Sequence, residues 1–210
     1  MTLLRIDNLQ YIDFPAVNLH LAAGESISIS GPSGVGKSLL LRAIADLDPH
    51  SGYIFLDNFE SSSMPSFEWR QNVGLLPSES QWWEDIVVDH FPQNVLKDPT
   101  VSTWTDRLRL KKSIFSSQVS RLSSGERQRL ALIRLLINSP RVLLLDEPTA
   151  SLDALNTEQV EKIIAEYLDD RNASAIWVSH NAEQAQRVAS RHFCFEEKVL
   201  LPCDTSMVEK

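Results

Sequence analysis

Gly31-Pro32-Ser33-Gly34-Val35-Gly36-Lys37-Ser38 fits the spacing G-x-x-x-x-G-K-[ST] at every position. Glycines in such a loop let backbone N–H groups converge on phosphate oxygens, and the helix that follows adds a field favouring negative charge. Lys37 has the length and charge to meet β- and γ-phosphates, and the Ser38 hydroxyl suits Mg²⁺. The implied chemistry is the binding of a nucleoside triphosphate. A glycine-rich turn with no ligand is the bland alternative; the order strand, loop, helix argues against it.

A second constellation lies downstream. Val142-Leu143-Leu144-Leu145 runs apolar into Asp146-Glu147. An acid at the carboxyl end of a parallel strand faces the phosphate loop. Asp146 therefore suits direct or water-mediated coordination of Mg²⁺, and Glu147 suits orienting or deprotonating an attacking water. His180 follows the strand around Ile176–Ser179 on the same sheet edge. A lone histidine is most often structural, yet this position lets it hydrogen-bond a γ-phosphate. Ser123-Ser124-Gly125-Glu126 opens an apolar helix as a capping box, and a capped helix start with free N–H groups is also an anion site. The cap explains Ser123 and Glu126. It gives no reason for Ser151-Leu152-Asp153 or for His180.

The elements that must position these residues alternate between strand and helix. Apolar alternation marks strands over Leu3–Leu9 and Val17–Leu21, with Ala23-Gly24-Glu25 as a turn. Further strands are read at Ser26–Ser30, Tyr53–Asp57, Val73–Pro77, Arg141–Leu145 and Ala175–Val178. Helices are read over Ser38–Leu47, Gly125–Asn138 and Ala182–Ala189. Val160, Ile163, Ile164, Tyr167 and Leu168 mark one face of another at i, i+3, i+4, i+7, i+8. Such alternation implies an α/β fold with a mostly parallel sheet covered on both faces. Residues 78–120 break the pattern with Trp82, Trp83, Trp104 and several prolines. They are read as a small inserted helical lobe, with helical fragments at Ile86–Leu96 and Val101–Leu110. The expected organisation is one domain over 1–210, its core formed by 1–77 and 121–210.

Length and composition are those of a soluble globular chain: 210 residues, 43% hydrophobic and 23% charged. A domain of this size buries roughly 70% of its unfolded surface. The net charge of −8 argues against nucleic acid as a partner, since phosphate neutralisation needs basic surface. No apolar run approaches the ~20 residues that span a bilayer, and the N-terminus does not read as a signal peptide. Cys194 and Cys203 read as reduced cytosolic thiols, and nearby His192 as structural.

In this order, the motifs resemble those of the ATP-binding subunits of ABC (ATP-binding cassette) transporters, from end to end of the chain. Residues 31–38 resemble the family's Walker A motif, 142–148 its Walker B motif and 122–126 its LSGGQ signature. Ala150–Asp153 resemble the D-loop, and His180 the switch histidine. The resemblance implies a P-loop NTPase core with an N-terminal antiparallel β subdomain, ATP and Mg²⁺ as cofactors, and catalytic roles for Lys37, Glu147 and His180. It implies nucleotide contacts from residues 31–39, Leu39 included, and from Asp153, with Ser38 and Asp146 on the metal. It also implies a head-to-tail homodimer in which Ser123, Gly125 and Glu126 meet the ATP of a second copy, and a membrane permease as partner. The chain would then sit in the cytoplasm, peripheral on the inner face of the cell membrane. Tyr11 is the first choice for stacking on adenine and Phe14 the second.

Two motifs depart from the family pattern. Ser124 and Glu126 replace glycine and glutamine in the signature, and Ser78 stands where the Q-loop glutamine is usual, with Gln81 as a substitute nearby. Asp85–Asp89 and Ile176–His180 resemble the Fet-type iron-export ATPases of bacteria, which favours export; lipoprotein-releasing and macrolide-efflux types stay close. A soluble ABC ATPase of translation or DNA repair is the alternative of another class. Such proteins usually carry two cassettes or a long coiled-coil insertion. A P-loop kinase would leave 122–126 unexplained.

Overall fold

The computed structural model describes residues 2–203; Met1 and residues 204–210 of the expected domain lie outside the described residues. The chain begins with two antiparallel strands, β1 (Thr2–Tyr11) and β2 (Val17–Ala22). β3 (Ser26–Ser30) feeds the phosphate loop and α1 (Lys37–Ile44), β4 (His50–Leu56) returns beside β1, and β5 (Phe59–Glu60) pairs with β4. α2 (Ser66–Asn72) and β6 (Val73–Leu76) lead into the lobe, whose one α-helix among the described residues is α3 (Pro99–Arg107). α4 (Ser124–Leu136), β7 (Val142–Asp146), α5 (Ala154–Arg171), β8 (Ser174–Val178) and α6 (Ala182–Val188) complete the alternation, and the hairpin β9 (Arg191–Glu196) and β10 (Val199–Pro202) closes it.

Two sheets result. The smaller is antiparallel with order β2-β1-β4-β5; the larger runs β10-β9-β3-β8-β7-β6 and is parallel except for the final hairpin. All five residues of β7 and of β8 are buried, because side chains alternate between two cores. Val142, Leu144, Ile176 and Val178 point into the core shared with α1 and the antiparallel sheet. Leu143, Leu145, Ala175 and Trp177 point into the core shared with α4, α5 and the lobe residues Val87, Phe91, Val101 and Leu108. The sheet is thus covered on both faces, as the uninterrupted apolar runs require.

Several local expectations change. The helix read over Ile86–Leu96 consists only of 3₁₀ turns at Val87–His90 and Val95–Lys97. Pro92 has no N–H to continue a helix, and Asn94 adopts a left-handed φ of 69°. Cys194 and Cys203 are disulfide-bonded, not free thiols, because the β9–β10 hairpin brings their Cα atoms to 5.4 Å. His192 is structural, its Nδ1 2.8 Å from Ser28 Oγ. α2 is anchored by Trp69, fully buried with Nε1 donating to Ile44 O at 2.9 Å. Trp69→Phe should cost about 1–3 kcal/mol, since it orphans that carbonyl and leaves a small void; urea unfolding followed by circular dichroism measures it.

Candidate active site

Three neighbouring parallel strands end on one edge of the large sheet. Val178 of β8 lies between Ile29 of β3 and Asp146 of β7. Beyond the ladder, Glu147 N donates to Val178 O at 3.0 Å and Ser179 N to Ile29 O at 3.3 Å. The phosphate loop, the two acids and His180 therefore leave the sheet side by side. Glu147 turns away with a left-handed φ of 48°, a conformation that concentrates at functional sites. Its Oε1 lies 2.9 Å from His180 Nε2, with both side chains partly open to solvent.

Lys37 is buried at the start of α1, and its Nζ donates to Gly31 O and Pro32 O, each at 2.8 Å. Burial pushes its ammonium pKa down, while Glu147 and Asp146 push it back up. Asp146 is 5% exposed, and its Oδ1 is buried with no hydrogen-bond partner. A buried carboxylate oxygen without a donor is costly unless a cation meets it. Ser38, exposed in the first turn of α1, adds a hydroxyl, and a carboxylate with a hydroxyl is a donor set that fits a hard divalent cation such as Mg²⁺.

The aromatic neighbour of the loop is Phe14, and Tyr11 is corrected. Tyr11 is 1% exposed and lies stacked on Phe14, ring centroids 4.7 Å apart. It has no free face for a base, and burial raises its phenol pKa. Phe14, partly exposed, lies across Gly36: a Cβ at that residue would come within 2.3 Å of the ring. Lys198, in the turn joining β9 to β10, places Nζ 5.3 Å from the Phe14 centroid. Gly36 also has φ 105°, so Gly36→Ala is both strained and obstructed. We expect it to weaken ATP binding at least ~10-fold; titration with a fluorescent ATP analogue measures the loss.

The signature segment opens α4. Ser123 caps α4: its Oγ accepts from Glu126 N at 3.2 Å, and its own N–H and hydroxyl donate to Glu126 Oε2 at 2.9 and 2.8 Å. The Ser123 N–H and then its hydroxyl hold the Glu126 carboxyl below its ordinary pKa. Glu126 is thus engaged in the cap, whereas Ser123 and Ser124 are exposed. Among the described residues no hydrogen bond joins 123–126 to the phosphate loop of the same chain. Gly125 instead packs on the segment after the acids, where a Cβ would lie 3.1 Å from both Leu152 and Ser151 O. Asp153 caps α5, accepting from Asn156 N at 2.8 Å.

Gln81 is exposed and its amide reaches only Glu79 O, at 3.4 Å. The buried glutamine in this region is Gln128, which donates to Pro77 O at 3.1 Å. Phe91 packs on Phe115 inside the lobe, Trp82 and Trp83 stand edge-on to His90, and Trp83 is 68% exposed. Sequence reasoning missed Arg129, buried and donating to Gly125 O, Leu108 O and Asn156 Oδ1. It missed Gln184 too, although Asn181-x-x-Gln184 has capping-box spacing. The Asn181 half of that box forms, with Oδ1 accepting from Gln184 N at 2.9 Å. The glutamine side chain turns inward instead.

Comparison with known proteins shows the family and the fold. The ABC transporter family model matches residues 14–150, more than half of the chain. The probable iron export ATP-binding protein FetA of Escherichia coli (strain K12) is 36% identical over 194 residues, covering 87% of this chain and 86% of that protein. The arginine transport ATP-binding protein ArtP of the same strain is 35% identical over 196 residues, covering 83% and 78%. The dimeric, ADP- and Pi-bound ATP-binding cassette MJ0796 superposes with a TM-score of 0.80 at 20% identity, over 95% of this chain and 98% of that one, a likeness of fold. Loop, paired acids, histidine and signature stand in one order on that fold, and the chain belongs to the ABC transporter family as an ATP-binding, ATP-hydrolysing component.

Proposed function

We propose that this chain works as a head-to-tail homodimer that holds two ATP molecules and drives a separate membrane permease. The observation that carries the reading is a division of labour: Lys37, Asp146, Glu147 and His180 share one sheet edge, while the exposed Ser123–Ser124 cap makes no hydrogen bond to its own phosphate loop among the described residues. In a second copy the cap meets the γ-phosphate with Ser123 and the Gly125 N–H. Phe14 packs on the base. Residues 31–39 cradle the phosphates, and Lys37 exchanges its carbonyl partners for β- and γ-phosphate oxygens.

When bound, Mg²⁺ neutralises developing charge on the β- and γ-phosphates; Ser38 and Asp146 are the residues that would hold it. Glu147 orients the attacking water and accepts its proton. The His180 imidazole hydrogen-bonds the γ-phosphate while its contact with Glu147 keeps the two aligned. Most of the catalysis is positioning and charge stabilisation, as in phosphoryl transfer generally.

Residues 78–120 serve as the docking lobe, with exposed Trp83 its most accessible anchor. No described helix is long and apolar enough to cross a membrane; in this reading the permease supplies the span. Export is our preferred direction, on the similarity to the iron-export relative. Affinity purification from membranes is the test: a multi-span protein should co-purify and raise ATPase turnover. Recovery with ribosomes or DNA and without a membrane protein would overturn the transport reading in favour of a soluble machine. ATP-driven flux in vesicles of known orientation decides the direction.

A further inference from the structure

Gln184 occupies a place that the catalytic roles above leave unexplained. It is 4% exposed, in the first turn of α6. Its Oε1 accepts from Ser179 Oγ at 2.8 Å, and its Nε2 donates to Thr149 Oγ1 and to Glu161 Oε1, both at 2.8 Å. Both amide hydrogens and the carbonyl are used. Glu161 can only accept, which fixes the nitrogen on that side. Glu161 is held in turn by Arg187 at 2.9 Å.

The partners lie on three different parts of the chain. Thr149 is in the turn that follows Glu147, and Leu152 N donates to its carbonyl at 3.0 Å. Ser179 immediately precedes His180 and also accepts from Asn181 N at 3.0 Å. Glu161 belongs to α5. Glu147, His180 and Gln184 all line one cleft of about 1200 Å³ between α5 and α6. One buried amide thus ties the segment carrying Glu147 to the segment carrying His180. Buried networks of this kind hold their members rigidly when every group is satisfied.

We propose that Gln184 is a positioning residue for ATP hydrolysis, setting the relative placement of Glu147 and His180 through Thr149 and Ser179. The inference rests on the roles given above to those two residues. It requires an amide: a carboxylate at 184 faces Glu161 with no proton to share, whereas a glutamine at 161 resupplies the missing donor.

The test is a cycle of Gln184→Glu, Glu161→Gln and the double variant, with Gln184→Met as an uncharged change of similar shape. Steady-state ATPase assays are paired with binding of a fluorescent ATP analogue. Q184E and Q184M should each lower kcat ~10-fold or more while KM and analogue binding stay within about twofold. The double variant should recover to within about threefold of the native kcat. A native kcat in Q184M, or a double variant no better than Q184E, would overturn the proposal. So would losses that track the folded fraction, with kcat per binding-competent molecule unchanged. Glu147→Gln and His180→Ala run alongside: if both retain native turnover, the site assignment itself fails; if they lose it and the Gln184 variants do not, only this inference fails.

Discussion

Glu147→Gln should lower kcat for ATP hydrolysis at least ~100-fold, the ordinary loss when a general base is removed, with little change in ATP affinity. Glutamine keeps an oxygen for the His180 contact seen at 2.9 Å but cannot take a proton from water. Glu147 has its backbone fixed by Val178, so the substitution leaves the sheet edge in place. With hydrolysis blocked, ATP should hold two copies together, and size-exclusion chromatography should show a dimer with ATP and a monomer with ADP. A monomeric variant with native turnover would refute both the shared site and the role of Glu147.

Lys37→Ala acts on binding instead. The ammonium donates to two carbonyls of a largely exposed loop, Gly31 O and Pro32 O, so the folded protein loses little when it is absent. Bound phosphate loses more: a charge-assisted hydrogen bond contributes about 1.5–3 kcal/mol, or roughly a 10- to 150-fold change in Kd. Asp146 and Glu147, whose fields now act on Lys37, would then repel the nucleotide without a counter-charge. We expect ATP affinity to fall ~100-fold, with the unfolding midpoint in urea nearly unchanged. Lys37→Arg should recover little, since a planar fork fits a loop built around a compact ammonium poorly. Isothermal titration with ATP measures both variants.

The catalytic edge was legible because its elements are simple. Leu143 and Leu144 are apolar neighbours that serve opposite cores, so a continuous apolar run announced a strand buried on both faces, and the acids at its end had one place to go. The β9–β10 hairpin gave no such sign. Its turn residues Glu197 and Lys198 both adopt left-handed φ values, 44° and 70°, without the glycine or asparagine that usually marks such a turn. Its disulfide was hidden with it. α2 escaped notice because Trp69 is its one fully buried residue, too little for a helical period. Tyr11 and Phe14 are alike as residue types, and only burial separates them. Gln184 shows the limit of local pattern: its spacing announces a cap, while its partners come from segments distant in sequence.

The contact of Gly125 with Leu152 and Ser151 bears on how two copies would part. No side chain stands between them to cushion relative motion, and Arg129 ties Gly125 to Asn156 at the start of α5. In the proposed assembly the serine pair and the turn after Glu147 would then travel as a single block. Retreat of that block from one nucleotide carries along the segment leading to the other catalytic acid. Release would then be concerted, both gates of the dimer swinging on one hinge.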